Sequence, residues 1–499
     1  MSDAAQQVFA NPKRYQNFIN GALVDASDGA TIERESPAHG RVVSIYASAT
    51  KDDADAAIMA ARDSFDGGEW AYAYAGDRAA LLHAVAQKIR DNVEELALVE
   101  TLESSKPIGV SRGEVMFAAE LWDYAAGQAR ALHGDSHNNL GPDMMGMVLR
   151  EPIGVVGIIT PWNFPLLILS ERLPFALAAG CSVVVKPSEF TSGTSHMIAQ
   201  YLDEANLPAG VCNILAGDGA TVGQAIVDSD DVDMVAFTGS SRVGKMAIKA
   251  SAGNIKKLSL ELGGKSPSVV FADCDIDAAI DGVLKAANVN MGECCIAGSR
   301  LLVQDSIAEV FQAKLSARLG DLKMGDPFDP TSRIGAIIND RQYAQISSYV
   351  DIAKEEGATI VCGGDADAYE GLFFPPTIIA DVRPNMRVAQ EEIFGPVLVM
   401  MTFKDRDEAI QLANATDYGL AAYVWTQDLA NALYCTRHIK AGRVWVNSAL
   451  DGFPEMPLGG FKQSGNGRET GRYGIEEYTE LKSVHLQMGT QKERWVTDV

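Results

Sequence analysis

The feature that most constrains the fold of this 499-residue chain is a regular alternation of short apolar runs with helix-length stretches. Five runs rich in Val, Ile or Leu fall in its first half: VVGIIT (155–160), SVVVKP (182–187), VCNILAG (211–217), VDMVAFTG (232–239) and KKLSLELGG (256–264). Turn residues follow each run, and a helical pattern such as Thr194–Asn206 follows most of them. This alternation predicts βαβ units and a parallel sheet buried on both faces, with ligands beyond the carboxyl ends of its strands.

A second alternating region begins soon after Gly264 and predicts a second α/β domain. Its apolar runs are SPSVVFADCDID, CIAGSRLLV, PPTIIADV, GPVLVMMTF, AAYVWTQ and GRVWVN. The chain before Val148 is predicted to be mostly helical after a hairpin-like N-terminal part, with residues 77–104 as its clearest amphipathic stretch. The length alone favours two or three domains.

Two strand-like segments stand apart from both alternating regions. They are Met145–Pro152 and Tyr478–Met488, in which polar residues alternate with apolar ones. Isolated strands need partners, so these two are expected to pair with each other or with another subunit. Since neither has an evident partner in its own domain, we expect them to pair across subunits of a dimer or a dimer of dimers.

The charge and cysteine content exclude several classes of protein. Lys and Arg number 42 against 66 Asp and Glu, and the net charge of −24 repels nucleic acid and anionic membranes. No apolar stretch approaches the roughly 18–20 residues of a membrane helix, and residues 1–18 lack a secretory pattern. Seven mostly scattered cysteines predict free thiols and a cytoplasmic setting.

Cys294 and Cys295 stand side by side in NMGECCIAGSR (290–300). Adjacent cysteines rarely form a disulfide, because their geometry opposes the preferred dihedral angle and separation. A zinc site needs C-x2-C pairs or spaced histidines, and none of the seven histidines lies in this stretch. Two interpretations remain: a reactive thiol beside an inert one, or buried packing, which is the usual role of a free cysteine.

The segment GSSRVGKM (239–246) is the nearest match to a phosphate-binding loop, since no G-x-G-x-x-G occurs at a strand–helix junction. It fits G-x4-G-K, but Met246 stands where a P-loop needs Ser or Thr to hold Mg²⁺. A turn at a helix N-terminus still favours an anion, because backbone N–H groups and the helix dipole point outward. The segment therefore predicts a pyrophosphate site without a metal ion.

Four further motifs are unusual: PWNFP (161–165), KPSE (186–189), ELGGKSP (261–267) and EEIFGP (391–396). The first three lie just past predicted strands, on the edge of the sheet where ligands bind. Taken singly, Pro and Gly explain PWNFP and ELGGK as turns. Taken in order with FTGS and the cysteine pair, the motifs resemble those of the NAD(P)-dependent aldehyde dehydrogenase superfamily, over residues 15–484.

The resemblance implies an α/β fold with a Rossmann-like NAD-binding domain, a second α/β catalytic domain and a small bridging β-sheet used in oligomerisation. The implied NAD-binding domain comprises residues 1–128 and 152–261, and the catalytic domain comprises residues 262–472. The bridging strands lie in residues 129–151 and 473–499. The implied assembly is a homodimer or homotetramer, and no catalytic metal is expected.

The family oxidises an aldehyde to a carboxylic acid through a covalent cysteine thioester. The resemblance places the nucleophile at Cys295, with Cys294 in the variable position before it. Asn163 and the backbone N–H of Cys295 correspond to the donors that stabilise the oxyanion. Glu261 corresponds to the base that activates water to hydrolyse the thioester.

The implied cofactor is NAD rather than NADP. Lys186 and Glu189 correspond to residues that bind the adenosine ribose, and a carboxylate there repels a 2′-phosphate. Other positions correspond to contacts with the pyrophosphate, the nicotinamide ribose and the ring. They are Thr160, Pro161, Trp162, Ser188, Gly223, Phe237, Thr238, Gly239, Ser240, Leu262, Glu392 and Phe394.

The aldehyde pocket is expected along Phe164, Ile168 and Glu171, whose i, i+4, i+7 spacing puts them on one helix face, together with Cys294 and Phe453. A carboxylate in an apolar funnel is costly unless it is paired. Glu171 therefore either pairs with an arginine of the protein or receives the cationic end of an aminoaldehyde or trimethylammonio-aldehyde.

The chain departs from the family pattern at Glu293, where glutamine is usual. A carboxylate facing the nucleophile would raise the pKa of the thiol and make the thiolate scarcer. A carboxylate pointing away would change nothing.

Three other functions compete with hydrolytic aldehyde oxidation. An acyl-CoA-forming semialdehyde dehydrogenase does not need the base at Glu261. A cysteine hydrolase leaves the nicotinamide-site motifs unexplained, and no histidine motif stands near the proposed nucleophile. A non-catalytic relative should lack Cys295, Asn163 or Glu261, and all three are present.

Overall fold

The computed structural model describes residues 3–365 and 369–489, and its fold is mixed α/β. Two large sheets and two three-stranded sheets are present in this part of the chain. The expectation of two α/β units with a small additional sheet is confirmed. The domain boundaries stay a prediction, and residues 490–499 of the predicted bridging segment lie outside the described residues.

The first large sheet has eight strands. Their spatial order is β20 (Gly465–Asn466), β12 (Lys257–Glu261), β11 (Met234–Thr238), β8 (Val155–Ile159), β9 (Ser182–Lys186), β10 (Cys212–Ile214), β2 (Asn17–Ile19) and β3 (Ala22–Val24). The five central strands, β12 to β10, run parallel to one another, while β20, β2 and β3 are antiparallel to their neighbours. All five runs predicted in this region are strands of this sheet.

Both faces of this sheet are buried, which explains its continuous apolar runs. Val183 and Val185 of β9 pack into one apolar cluster, while Val184 between them packs into another on the opposite face. Successive side chains of a strand point to opposite faces, so a strand covered on both sides must be apolar throughout. The carboxyl ends of the parallel strands are thereby fixed along one edge, where the predicted motifs lie.

The second large sheet has seven strands. Their spatial order is β15 (Thr359–Cys362), β16 (Thr377–Ala380), β17 (Val397–Phe403), β14 (Arg300–Gln304), β13 (Pro267–Val270), β18 (Ala421–Trp425) and β19 (Arg443–Val446). Only the β15–β16 pair is antiparallel. This sheet is also covered on both faces, since Val269 and Val270 belong to different apolar clusters.

Helices pack around both sheets. Before β8 they are α1 (Asp3–Ala10), α2 (Lys51–Gly67), α3 (Ala75–Asp91), α4 (Val93–Ser104) and α5 (Ile108–Ala131). Those that follow are α6 (Pro165–Ser170), α7 (Leu173–Ala179), α8 (Gly193–Glu204), α9 (Gln224–Asp228), α10 (Ser241–Ala250), α11 (Ile276–Asn288), α12 (Ala308–Gly320), α13 (Asp340–Glu355), α14 (Arg387–Gln390), α15 (Arg406–Ala413), α16 (Leu429–His438) and α17 (Gly471–Glu477).

The amphipathic stretch predicted over residues 77–104 is two helices, not one. The chain breaks at Asn92, which has φ −115° and ψ 24° and ends α3. Its side-chain amide donates to Lys88 O at 2.7 Å, so the residue satisfies a helix-end carbonyl. Apolar periodicity continues across the break because both helices bury a face in the same cluster.

The two strand-like segments form one small sheet. Its order is β21 (Thr479–Gln487), β7 (Met144–Pro152) and β6 (Asp135–His137), and the other small sheet is β1 (Lys13–Tyr15), β5 (Arg41–Ala47) and β4 (Thr31–Ser36). The expectation that the segments Met145–Pro152 and Tyr478–Met488 pair with each other is confirmed, and the expectation that they pair across subunits is wrong. They pair antiparallel inside one chain, from Thr479 opposite Pro152 to Gln487 opposite Met144. The two strands are far apart in the sequence, so the sequence alone did not show that the fold brings them side by side within one chain.

Within residues 3–365 and 369–489, no helix is both long enough and apolar enough to cross a bilayer.

Arg300 shows how the second sheet is tied to a neighbouring helix. Its side chain is fully buried and donates to three carbonyls: Lys265 O at 2.8 Å, Leu412 O at 2.9 Å and Ala413 O at 2.7 Å. Burial lowers the pKa of Arg300 to about 9. The guanidinium thus joins the start of β14 to the end of α15.

We expect Arg300→Met to lower the free energy of unfolding by about 3 kcal/mol or more, because it leaves buried carbonyls without donors. Arg318→Met is the matched control: its ion pair with Asp281 is half exposed, and its removal should cost at most about 1 kcal/mol. Urea unfolding followed by fluorescence measures both. Equal midpoints for the two variants would contradict the role given to Arg300.

Candidate active site

A cleft of about 700 Å³ lies at the carboxyl edge of the first sheet. Most of the residues predicted from the motifs line it: Pro161, Trp162, Asn163, Glu189, Thr238, Gly239, Ser240, Glu261, Leu262, Cys295, Glu392 and Phe394. The remaining predicted residues are not in its wall: Thr160, Phe164, Ile168, Glu171, Lys186, Ser188, Gly223, Phe237, Cys294 and Phe453. Phe453 is 59% exposed, whereas Ile168 is buried on α6.

The cleft has a wall that the motifs did not predict. It includes Phe190 and the start of α13 with Asn339, Asp340, Arg341, Gln342 and Gln345; Arg242 and Gly263, which lie inside predicted motifs, also line the cleft. Asn339 caps this helix by accepting from Gln342 N at 2.9 Å. Asparagine before a polar helical pattern indicates a helix start, but nothing in the local sequence indicates that this start faces a cleft.

The cysteine pair follows a turn of unusual conformation. Asn290, Met291 and Gly292 have φ of 49°, 56° and 70°, so three consecutive residues are left-handed. Such a conformation is costly for the two residues that carry a Cβ. The side-chain amide of Asn290 offsets it by donating to Asn163 O at 2.8 Å and to Glu293 O at 3.2 Å.

This turn gives the two adjacent thiols different environments. Cys294 is buried, whereas Cys295 is partly exposed and lines the cleft. A hydrogen bond with Cys294, burial, and the carboxylates of Glu392 and Glu171 raise the pKa of Cys295 well above its ordinary value. The thiol on the cleft is therefore Cys295, and its thiolate is scarce unless a positive charge enters the cleft.

Glu293 points away from the nucleophile. Its carboxylate accepts from Ile338 N at 3.1 Å, and burial raises its pKa well above the ordinary value. Its charge is not among the causes of the raised pKa of Cys295. Of the two outcomes considered for this departure from the family pattern, the structure supports the one in which the thiol is not affected.

Asn163 is fixed by hydrogen bonds on both its side chain and its backbone. Its Nδ2 donates to Glu293 O at 3.1 Å, and its carbonyl accepts from Asn290. A buried cluster on α4 and α5 holds the helix that follows: Glu100 accepts from Leu166 N at 3.0 Å, and Glu114 accepts from Leu167 N. The amide of Asn163 is thus presented by a fixed helix start.

Lys106 completes this cluster and neutralises part of its charge. Its ammonium is fully buried, forms an ion pair with Glu114 and lies 3.9 Å from Glu100. It also lies 4.5 Å from the centroid of the Phe164 ring, an arrangement that favours a cation–π interaction. Phe164, the residue before α6, therefore also packs against this cluster.

Atoms of other segments approach the two glycines of ELGGK so closely that no side chain fits there. A Cβ on Gly263 would lie 2.1 Å from a carboxylate oxygen of Glu392, and one on Gly264 would lie 2.3 Å from Cys295 O. The amide of Gly264 donates to Glu392 at 3.0 Å. Glycine here lets the nucleophile segment and a cleft carboxylate approach the end of β12.

Glu261 has the properties of a base held in a dry site. Its side chain is buried, and both of its carboxylate oxygens lack a hydrogen-bond partner among the described residues. Burial and the negative charge of Glu469 raise its pKa well above the ordinary value, while Arg172 lowers it. A raised pKa makes the ionised carboxylate a stronger proton acceptor.

Glu171 caps the end of α6 and is partly buried. No ion pair to it occurs among the described residues, although the charges of Arg443 and Arg172 lower its pKa. Burial and the charge of Glu469 outweigh them and raise the pKa of Glu171 to about 8. A direct pair with an arginine, the first of the two alternatives, is therefore not present in this part of the chain.

The residues of the cleft fit a dinucleotide with a cationic ring. Lys186 and Glu189 lie 3.1 Å apart at the end of β9, where hydroxyl groups of a ribose can bind both. Ser240 caps α10 by accepting from Val243 N, and Gly239 and Ser240 place the start of that helix in the cleft wall, where an anion is favoured. Trp162 and Phe394 pack edge to face, 5.3 Å between ring centroids, which provides an apolar wall.

Two further carboxylates, those of Glu261 and Glu392, line the cleft together with Cys295. Burial raises the pKa of Glu392 to about 7. Such a wall favours a positively charged ring over a neutral one. No group of three or more metal-binding side chains occurs in the described part of the chain.

Comparison with known proteins agrees with this geometry. The model of the aldehyde dehydrogenase family matches residues 23–484. Aldehyde dehydrogenase family 2 member C4 of Arabidopsis thaliana is 43% identical over 473 residues, covering 94% of each chain. Betaine aldehyde dehydrogenase of Bacillus subtilis is 40% identical over 482 residues, covering 96% of this chain and 98% of that protein.

Crystal structures give the same result. The NAD-dependent aldehyde dehydrogenase of Sinorhizobium meliloti superposes with a TM-score of 0.97 at 49% identity, over 99% of each chain. Betaine aldehyde dehydrogenase of Staphylococcus aureus in complex with NAD⁺ superposes with a TM-score of 0.96 at 38% identity, also over 99% of each chain. The chain therefore belongs to the aldehyde dehydrogenase family.

Proposed function

We propose that Cys295 is the nucleophile with which this enzyme oxidises an aldehyde to the carboxylic acid, using NAD⁺. The observation that carries the assignment is that Cys295, unlike Cys294, lines the cleft together with Asn163 and Glu261. A thiol, an amide donor and a buried carboxylate in one cleft are the groups that covalent acyl chemistry requires.

In the first half of the reaction the Cys295 thiolate adds to the aldehyde carbon, and the carbonyl oxygen becomes an oxyanion. One Nδ2 hydrogen of Asn163 bonds Glu293 O, which orients the amide and leaves its second hydrogen for the oxyanion. The backbone N–H of Cys295 supplies the other donor. NAD⁺, when bound, accepts the hydride that leaves this carbon.

In the second half the thioester on Cys295 is hydrolysed. Glu261 removes a proton from water as the water attacks the thioester carbon, and the sulfur leaves as thiolate with release of the acid. The raised pKa of Glu261 supports this role, because a stronger base accepts the proton more readily. The buried base also separates this enzyme from acyl-CoA-forming relatives, which do not need it.

The cofactor is NAD⁺, and Glu189 at the end of β9 supports its selection over NADP⁺, because a carboxylate repels a 2′-phosphate. Among the other predicted residues, Thr160 follows β8, Phe237 lies in β11, and Gly223 precedes α9. The aldehyde is proposed to approach along Phe164, Ile168, Glu171, Cys294 and Phe453. A cytoplasmic location is proposed from the free cysteines.

A homo-oligomer, dimer or tetramer, is proposed to form through the β21–β7–β6 sheet. Strand β21 is at the edge of this sheet and has a neighbour on one side only in the described residues. Leu481 and Leu486 on this strand are 61% and 40% exposed. An edge strand that exposes leucines among its polar residues is a surface that another chain can cover.

The first prediction concerns the nucleophile. Cys295→Ala should abolish NADH formation from aldehydes, because no other thiol lines the cleft in the described residues, whereas Cys294→Ala should retain most of it. Both variants are assayed with NAD⁺ and an aldehyde panel after circular dichroism confirms folding. Activity in Cys295→Ala, or its loss only in Cys294→Ala, would reverse the assignment.

The second prediction concerns the base. Glu261→Gln should give a burst of NADH close to one equivalent per active site, followed by slow turnover, because hydride transfer precedes hydrolysis. Rapid-quench or stopped-flow absorbance measures the burst and the steady state separately. A steady-state rate equal to that of the parent enzyme would remove Glu261 from this role.

The third prediction concerns assembly. The double variant Leu481→Asp, Leu486→Asp should reduce the mass measured by light scattering at micromolar concentration, because it places charges on the proposed interface. The control is Leu429→Asp, Leu433→Asp on α16, whose leucines are 72% and 61% exposed. A monomeric parent enzyme, or an unchanged mass in the first variant, would contradict the proposed surface.

A further inference from the structure

Arg34 and Glu293 both bind the backbone of Ile338, Arg34 at the carbonyl and Glu293 at the N–H. Glu293 accepts from Ile338 N at 3.1 Å, and Arg34 Nη2 donates to Ile338 O at 3.1 Å. Both charged side chains are buried, with exposures of 7% for Arg34 and 1% for Glu293. Two buried opposite charges that share one backbone residue form a bridged pair, in which each charge reduces the cost of burying the other.

On one side this bridge reaches the cofactor-binding unit. Arg34 lies on β4, and its Nε and Nη2 donate to Glu103 O at 3.0 and 2.5 Å. Its guanidinium also lies 5.4 Å from the centroid of Phe190, which lines the cleft beside Glu189. Arg34 therefore contacts the end of α4 and the loop after β9, which belong to the cofactor side.

On the other side the bridge reaches the nucleophile. Glu293 precedes the cysteine pair, and its carbonyl accepts from Asn163 and Asn290, which orient the proposed oxyanion donor and the left-handed turn. Ile338 precedes Asn339, the cap of α13 in the cleft wall. A displacement of Ile338 would therefore be transmitted both to the segment of Cys295 and to the wall of the cleft.

We propose that Arg34 and Glu293 act as one positioning unit, which fixes the nucleophile segment against the cofactor side of the cleft through Ile338. Neither side chain lines the cleft, so neither acts on the substrate directly. The proposal gives the departure from the usual glutamine a role: the carboxylate is matched by a buried guanidinium. It rests on the assignment of Cys295 as the nucleophile.

The proposal predicts what removal of the guanidinium does. In Arg34→Met the buried carboxylate of Glu293 is left with Lys106 as the other cation acting on it. The buried carboxylate of Glu103 also loses Arg34 as a neighbouring cation, but it keeps the hydroxyl donors of Ser44 and Tyr46. Without its partner charge, the buried carboxyl group of Glu293 is protonated at lower pH. As the pH rises it ionises, and the unpaired buried charge is displaced from Ile338. The loss of function relative to the parent should therefore deepen as pH rises.

The first readout is kcat for aldehyde oxidation from pH 7 to 9. Arg34→Met should lower kcat at least about tenfold at pH 8, since a buried charge without its partner is costly. Adding Glu293→Gln should recover at least threefold, because the amide oxygen still accepts from Ile338 N but carries no charge. The control Arg62→Met removes a surface ion pair with Asp66 and Asp233 and should leave kcat unchanged.

The second readout is the rate at which iodoacetamide alkylates Cys295, followed by mass spectrometry of its peptide. Arg34→Met should change this rate at least threefold, and Arg62→Met should not. If Arg34→Met does not fold, Glu293→Leu and Glu293→Gln provide the test, because only leucine removes the acceptor for Ile338 N. The leucine variant should then show the larger change in both readouts.

Cys295→Ala is measured in the same series, so that the two assignments fail separately. An active Cys295→Ala would refute the nucleophile and with it this proposal. An inactive Cys295→Ala would leave the nucleophile in place; the positioning unit would then be refuted by an Arg34→Met enzyme that behaves like Arg62→Met. A loss of kcat that Glu293→Gln does not relieve would also refute it, because the loss would then not arise from the unpaired carboxylate.

Discussion

The buried guanidinium of Arg172 is the interaction on which the geometry of the site depends. It is 0% exposed, and it donates to Thr238 Oγ1 at 2.7 and 3.0 Å and to Phe237 O at 3.1 Å. It also forms an ion pair with Glu469. Burial of this charge is tolerated only because each partner is in place, so the end of β11, the α6–α7 junction and the segment before α17 must meet at one point. The cleft opens beside that point.

The carboxylates of the site affect the proposed base and the proposed nucleophile in opposite ways. Carboxylates such as Glu171, Glu392 and Glu469 raise the pKa of nearby acidic groups, which makes Glu261 a stronger base but makes the Cys295 thiolate scarcer. A cationic nicotinamide ring in the cleft relieves the second effect, since it favours the thiolate and the ionised carboxylates together. With these negative charges in the cleft, the proposed nucleophile is therefore ionised mainly when a cationic ring is bound.

Much of the fold was predictable because burial on both faces leaves a clear signal in the sequence. The strand β9 and its neighbours are continuous apolar runs, and the capped start of α10 follows from the Gly-Ser-Ser turn. Contacts between segments remote in the chain leave no such signal. The pairing of β21 with β7 and the position of Asn339 in the cleft wall both depend on how the two large sheets are arranged.

The candidate site was predictable in its residue types but not in its orientations. The resemblance to the family distinguished Cys295 from Cys294, which the residues alone did not, and the structure places only the former on the cleft. Whether Glu293 faces the thiol was not decidable locally, because its direction is set by Ile338, 45 residues away in the chain. Arg34 carried no signal at all, since a single arginine on a predicted hairpin strand is ordinarily a solvated surface residue.

The three consecutive residues Glu293, Cys294 and Cys295 point in three different directions, and this divergence positions the proposed nucleophile. The first is bound to Ile338, the second is buried, and the third faces the cleft. The left-handed turn before them makes the divergence possible, and the amide of Asn290 offsets its strain. A thiol on a strained, exposed turn would be mobile; here the two residues before it are held in the protein interior, so the accuracy of the reactive atom comes from neighbours that take no part in the chemistry.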